Sequence, residues 1–314
     1  MAYCMKCGTA LSADTAAYCA KCGAPTPAAA APRGTPPVEA AFGHSTVGVG
    51  ALRSRGESAA LLFGFGLFAL SWVVLDVTTA FVPVLLGTVG LIVYVLYQQG
   101  ALKGSSVAVS PRNFPDIESL AQEAASRLGI GKPNLFIKQS RELNAYAMGF
   151  VGSACVVVHS EIVSATEHAP RELQFIIGHE FTHIKCSHVL WQTIAAKNPL
   201  LGSVPILNFV LPLFFSWWSR QAELTADRGG LIACGDLAAS QKALARLVIG
   251  AELFDRLNVE EFVKQAYDGD VATKANELFS SHPLLAKRIV ALAEFSRSPL
   301  VARAPQMKAR AQEA

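Results

Sequence analysis

Residues 170–188 read PRELQFIIGHEFTHIKCSH. Pro170 suits the first position of a helix, and Leu173, Ile176, Ile177 and Ile184 recur along one helical face. On that helix His179 and His183 stand four residues apart, so both imidazoles lie on one wall. Glu180 sits beside them. The H-E-x-x-H pattern offers two nitrogen ligands to one metal ion and a carboxylate to carry a water proton. Gly178, just before the motif, reads as room for a close neighbour. His188 follows His183 by five residues, which turns it off the metal face; it is expected at the surface.

Two histidines do not complete a catalytic zinc site, which takes three protein ligands and a water. The stretch SRQAELTADRGGL, residues 219–231, offers a third on a downstream helix. Glu223 lies forty residues past His183, and Asp227 one helical turn later. Glu223 can ligate while Asp227 accepts a hydrogen bond from a ligand histidine and fixes its tautomer. Without a metal, Glu223, Asp227 and Arg228 would make an ordinary salt-bridged face.

The composition is unusually apolar. Hydrophobic residues make up 52% of the 314 and charged residues only 16%, with a mean hydropathy of +0.34. Ordinary soluble domains carry about 25% charged residues, so a membrane-embedded part is expected. A net charge of +3, with no basic run interleaved with aromatics, argues against a nucleic-acid partner.

Four of the seven cysteines stand in two pairs, Cys4 with Cys7 and Cys19 with Cys22, with eleven residues between the pairs. Each pair sits in a C-x-K-C-G knuckle, the spacing of a four-thiolate structural zinc. A pair of disulfides is the alternative; with no signal peptide read ahead of Cys4, zinc is expected. Cys155, Cys186 and Cys234 are scattered and read as small buried hydrophobes. The domain reading is a zinc ribbon over 1–23, then a Pro-, Ala- and Gly-rich flexible linker over 24–55.

Residues 56–100 read as a transmembrane helical hairpin. The segments 59–75 and 80–97 are almost free of charge, and each spans roughly 25 Å as a helix. Asp76 and its threonines mark the turn between them; Trp72, Tyr94 and Tyr97 are available as interface anchors. Arg53 and Arg55 precede the pair, Lys103 and Arg112 follow it, and the turn carries no basic residue. The positive-inside rule then puts both ends in the cytoplasm. A buried helix pair in a soluble core is the alternative.

Residues 101–300 form the catalytic domain in this reading, with a tail over 301–314. FPDIESLAQEAASRLGI reads as a helix opened by Pro115 and Asp116 and closed by Gly129. NLFIKQS and ACVVVHS read as strands separated by RELNAYAMGFVGS. His159 ends the second strand, and His168 reads as a loop residue before Pro170.

Four blocks, GHEFTHI, SRQAELTADRGGL, NAYAMGF with ACVVVHSEIV behind it, and SHPLLAKRI, occur in an order that resembles one family. The chain is similar to the integral-membrane zinc metallopeptidases of the HtpX and CAAX-prenyl-protease type, a gluzincin family. The resemblance implies an α+β fold, a mostly helical zincin-type domain with a small sheet. It also implies His179, His183 and Glu223 as zinc ligands, Glu180 as general base and Asp227 as their hydrogen-bonded support. Asn144 and Ala145 match the segment leading into the active-site edge strand, where a substrate peptide can add. His282 matches a His-Pro of the family and is assigned a catalytic role; Arg288 matches a downstream arginine.

Two departures stand out. The zinc ribbon is an addition to the family plan, and the space between H-E-x-x-H and Glu223 holds no second membrane hairpin. One crossing there would put Glu223 across the bilayer from His179, and two need about 40 apolar residues. Residues 199–218 are therefore expected either to lie on or dip into the bilayer face, or to form the apolar start of the Glu223 helix, with a soluble-core role as the alternative. Pro205, Asn208 and Pro212 suggest a broken element, and Trp217 and Trp218 an interfacial one.

The expected protein is thus a multi-pass protease of the cell (inner) membrane with one catalytic and one structural Zn2+. Ribbon and catalytic domain face the cytoplasm; partners are membrane-associated protein or peptide substrates, the lipid bilayer, and a protein held by the ribbon. Its expected role is membrane protein quality control or processing. The alternative is an inactive membrane-anchored scaffold whose ribbon recruits proteins.

Overall fold

In the computed structural model the described residues are 48–149 (except 55, 79 and 80), 154–197, 205–250, a few between 258 and 264, and 285–298. Cys4, Cys7, Cys19, Cys22 and His282 lie outside them.

The chain enters through a short helix, α1 (Val49–Leu52), then two long apolar helices, α2 (Glu57–Thr78) and α3 (Phe81–Ser105). Strand β1 (Val107–Ala108) and helix α4 (Pro115–Leu128) follow. Pro115 sits in the first turn of α4 with Asp116 and Glu118, and Gly129 caps its end in the left-handed conformation, at φ 65°. The sequence signals for this helix therefore act as read: a proline that needs no N–H donor at the start, a residue free to adopt positive φ at the end.

Strands β2 (Asn134–Lys138), β3 (Ala145–Met148) and β4 (Cys155–His159) complete a sheet of order β1-β2-β4-β3. β2 runs parallel to β4, whereas β1 and β3 pair antiparallel with their neighbours. β4 is buried along its whole length, which explains its unbroken apolar run. The segment read as leading into an edge strand is itself that strand: Ala145 pairs with Val158 and Met148 with Cys155. Its two alanines and four-residue length gave too short an alternation to reveal it.

Further helices follow among the described residues: α5 (Ser160–Ala165), α6 (Pro170–Lys185), α7 (His188–Lys197), α8 (Pro205–Cys234), α9 (Leu237–Ile249) and α10 (Leu285–Ser296). Mostly helical with one small sheet is the architecture expected. The core lies where α4, α6, α8, α9 and α10 meet the sheet, around Ile177, Phe181, Leu231, Ile232, Leu244 and Leu292.

Over residues 205–218 the stretch before Glu223 takes one of the expected forms, the apolar start of the Glu223 helix. α8 is a single helix of 30 residues that carries the apolar segment and Glu223 together. Pro205 takes its first turn, where no donor is missed, and Pro212 is accommodated within it. An internal proline costs about 3 kcal/mol but does not forbid a helix, so the expected break is absent. Trp218, read as interfacial, is only 2% exposed and packs with Ala60, Phe214 and Ala222. Here α2 lies on α8: Phe63 and Phe214 ring centroids are 5.7 Å apart, and a side chain at Gly64 would strike Phe214.

Residues 48–54, read as the end of the linker, pack against α8. Leu52 is fully buried, Arg228 Nη1 donates to the carbonyls of Leu52 and Arg53 at 3.2 and 2.8 Å, and the Ser54 amide donates to Thr225 Oγ1 at 2.9 Å. Helix α2 runs past Asp76 to Thr78. On α3, Leu85, Leu86, Val89, Ile92, Val93, Leu96 and Tyr97 are exposed. The stretch Leu85–Leu102 is long and apolar enough to cross a bilayer by length and composition.

Helix α6 packs closely against α8. An added Cβ at Gly178 would collide with Ala233, one at Gly229 with Thr182, and one at Gly230 would lie 2.8 Å from the Phe175 ring. Gly178→Ala should therefore lower the unfolding midpoint by an amount equivalent to about 1–3 kcal/mol. Ala233→Gly in the same chain should recover part of it. A Gly178→Ala variant as stable as the parent in a thermal melt would contradict this packing.

Candidate metal centre and active-site cleft

α6 brings His179, Glu180 and His183 to the wall of a cleft of about 410 Å³, and α8 brings Glu223 to the same wall. Ligating atoms of His179, His183 and Glu223 all lie within 4.8 Å of one another. Nε2 of His179 and Nε2 of His183 face each other at 3.1 Å, and each is 3.6 Å from one oxygen of Glu223. Two imidazole nitrogens and a carboxylate oxygen converging this closely are a donor set that fits zinc. All three side chains are buried.

Behind them is a hydrogen-bonded shell. His179 Nδ1 is 3.0 Å from Asp227 Oδ1, the arrangement anticipated from sequence. Asp227 is in turn held by Arg288 of α10, whose Nε donates to Oδ2 at 2.8 Å and whose Nη2 donates to Oδ1 at 2.7 Å. Nη1 of the same arginine lies 3.2 Å from Glu223 Oε2. Arg288 thus clamps two carboxylates of α8 in one planar grip. Its position was legible in SHPLLAKRI, but this function was not.

The electrostatics follow from burial. Burial would raise the Asp227 carboxyl, but the Arg288 guanidinium and its hydrogen bonds, with His179, hold it below the usual carboxylate range. Burial works against a charged His179, yet Asp227 and the nearby Glu223 carboxylate raise it above the ordinary imidazole value. Burial and the His179 beside it keep His183 well below that value, leaving a neutral ring with a free lone pair. Burial also pushes the Glu180 carboxyl up to about 7, with His179, the Ala147 amide and Arg288 pulling the other way. A carboxyl that titrates near neutrality beside a cation site is suited to proton transfer.

Asn144, Ala145 and Ala147 line the cleft, so edge strand β3 forms one of its walls. Glu180 reaches this wall through the Ala147 amide. His159 is buried at the end of β4 with Nδ1 3.2 Å from the Glu142 carbonyl, and it is not among the cleft-lining residues. His168 is exposed in the turn before Pro170, as read. Cys155, Cys186 and Cys234 are buried thiols outside any disulfide, and burial pushes the Cys186 and Cys234 thiols up to about 12 and about 11. The raised values make Cys186 and Cys234 inert packing residues.

His188 overturns its expectation. It is 0% exposed, because α6 stops at Lys185 and Ser187 adopts a left-handed φ of 61° that turns the chain back. Its Nδ1 then lies 3.0 Å from Nδ1 of His183, and its Nε2 2.9 Å from Oε1 of Glu57. Counting helical positions failed because the helix does not continue.

A model of peptidase family M48 matches residues 111–296, which contain the three converging donors, Glu180, Asp227, Arg288 and the residues lining the cleft. The chain belongs to peptidase family M48. The metallopeptidases of this family use zinc, in agreement with the donor set. A relative from Arabidopsis thaliana, plastoglobule-localized metallopeptidase 48, is 35% identical over 213 residues, covering 62% of this chain and 61% of its own length. A protease HtpX homolog of Moorella thermoacetica is 26% identical over 246 residues, covering 63% of this chain and 76% of its own. Protease HtpX of Nitrosococcus oceani is 27% identical over 232 residues, covering 61% and 75%. No solved structure matches the chain significantly.

The Glu180 carboxyl gives a stability prediction for this M48 chain in its metal-free form. Held at about 7 when folded and near 4.5 otherwise, it binds its proton more tightly in the folded state. Its destabilisation is absent below the unfolded value, grows as pH rises towards 7 and is constant above. Glu180→Gln should therefore leave denaturant stability unchanged near about pH 4 and raise it near about pH 8, by at most about 3 kcal/mol. Equal shifts at both pH values would refute the assignment.

Proposed function

We propose that this chain is a membrane-anchored zinc endopeptidase that hydrolyses peptide bonds of membrane-associated proteins. The observation that carries the reading is the convergence of His179, His183 and Glu223 on one point, with Glu180 alongside and an edge strand as the cleft wall. His179, His183 and Glu223 hold the zinc ion. Bound there, zinc supplies Lewis acidity towards a scissile carbonyl and a water molecule.

Every other step falls to the chain itself. Asp227 accepts the Nδ1–H of His179, which leaves Nε2 as the ligating atom, and Arg288 keeps Asp227 ionised and holds both Asp227 and Glu223 in place. The Glu180 carboxylate takes a proton from the attacking water and hands it to the leaving amine nitrogen. An extended peptide adds alongside Ala145–Met148, with Asn144 and Ala145 among the groups that seat it. His282 is assigned a supporting catalytic role on the His-Pro resemblance alone.

The apolar outer face of α3 supports insertion of the α2–α3 hairpin into the bilayer of the cell (inner) membrane. The arginines and lysine flanking it favour a cytoplasmic site. Cys4, Cys7, Cys19 and Cys22 form a structural zinc ribbon that recruits a protein partner. Quality control or processing of membrane proteins fits a cleft that accepts extended chains. An inactive scaffold is disfavoured, since Glu180 and Glu223 are both present.

Glu180→Gln should retain zinc and lose at least about 10³-fold in cleavage of an unfolded membrane substrate. His183→Ala should lower bound zinc from two ions per chain to one, and Cys4→Ser should remove the other while sparing proteolysis. Metal analysis showing His183→Ala with full zinc content, or cleavage by Glu180→Gln at the parental rate, would overturn the reading.

A further inference from the structure

His183 carries a hydrogen bond that H-E-x-x-H by itself does not supply. Its Nδ1 meets Nδ1 of His188 at 3.0 Å, and Nε2 of His188 meets Oε1 of Glu57 at 2.9 Å. His188 and Glu57 are both 0% exposed. Glu57 opens α2, far from either histidine in sequence. Its Oε2 accepts the hydroxyl of Thr225, a residue that lies on α8 between Glu223 and Asp227, and Arg53 Nε lies 3.3 Å from Oε1. Trp218 closes the site with its ring edge-on to His188, centroids 5.9 Å apart.

Proton accounting gives this chain a direction. A neutral imidazole carries one N–H. Nε2 of His183 faces His179 and Glu223, so there it must present a lone pair, and its proton sits on Nδ1. Nδ1–H of His183 then donates to the bare Nδ1 of His188. The proton of His188 is left on Nε2, where it donates to the Glu57 carboxylate. Each donor meets one acceptor and the series ends on a charged oxygen, the strongest acceptor available. The opposite direction would aim an N–H of His183 into the donor set and leave a lone pair of His188 facing a carboxylate.

We propose that His188 and Glu57 are positioning residues for His183, doing for it what Asp227 does for His179, and that they tie the metal centre to the first turn of α2. The inference rests on the zinc-peptidase reading above. It makes the two ligand histidines unequal in their dependence on the rest of the molecule. The Asp227 support comes from the helix that also carries Glu223. The His188–Glu57 support comes from the start of the apolar hairpin, so the seating of α2 is felt at the ring of His183.

The test uses the full chain in detergent micelles, stripped of metal and titrated with cobalt(II). Thiolate charge-transfer absorption reports the cysteine site, and the visible ligand-field bands report the histidine site. Glu57→Gln, His188→Asn and the double variant should each bind cobalt at the histidine site about 10- to 100-fold more weakly, with altered ligand-field bands. The double variant should be no weaker than the worse single one by more than about threefold, as expected for members of one series. The cysteine site should be unchanged. Folded variants with parental ligand-field bands and affinity within about twofold would overturn the proposal, even if their melting temperatures fall. Should the variants not fold, ring-nitrogen NMR of the zinc-loaded parent decides: His188 protonated at Nε2 and bare at Nδ1 is expected, and the reverse tautomer overturns it. A parental chain with no metal bound at the histidine site would instead sink the peptidase reading itself.

Discussion

The close approach of α6 to α8 is the constraint on which the rest depends. No single helix holds the donor set: His179 and His183 are on α6, Glu223 and Asp227 on α8. Carboxylate and imidazole meet only if the two backbones come nearer than ordinary side chains permit. Gly178, Gly229 and Gly230 remove the atoms that would prevent it, and opposite Gly178 α8 presents only the methyl of Ala233. The glycines cost helix propensity, roughly 1 kcal/mol each relative to alanine. The buried core formed around Phe175, Ile177, Phe181 and Leu231 offsets that loss.

Such packing places several charges out of water together, which is costly unless each is paired. Arg288 solves most of this by spanning Asp227 and Glu223, and His179 takes up the remaining face of Asp227. Glu180 has no such full partner, and its carboxyl is the group driven towards neutrality. The contrast between a clamped Asp227 and a loosely paired Glu180 is what separates a structural carboxylate from a proton carrier. A second buried pair, His188 with Glu57, joins the entry of the apolar hairpin to this centre. The site is therefore braced from α10 on one side and from α2 on the other.

Much of this was legible in residue order. The helix over Pro170–Lys185 announced itself by proline and a regular apolar stripe, and α4 by Pro115, Asp116 and Gly129. Both are long enough for periodicity to accumulate. β3 was legible only through resemblance, because four residues of modest hydrophobicity define no pattern. The helix through Pro212 was misread as broken, since proline lowers helix stability locally while burial of Phe214, Trp218 and Ala222 acts through neighbours the sequence does not show. Trp218 failed for the same reason: an indole suits an interface or a core equally well, and only the presence of Ala60 and His188 chooses.

By itself the sequence determined the identities and spacings of the donor atoms: two histidines one turn apart, a glutamate between them, and Glu223 and Asp227 one turn apart on a second helix. Those relations are local, set by 3.6 residues per turn, and survive without knowledge of the fold. Only the tertiary structure decided which distant groups complete each hydrogen bond. Arg288 grips Asp227 across 61 positions and Glu57 reaches His188 across 131. The turn at Ser187 sends His188 inward rather than to the surface. Partnerships of this kind depend on how helices cross, and that is fixed by the summed packing of the core rather than by any one segment.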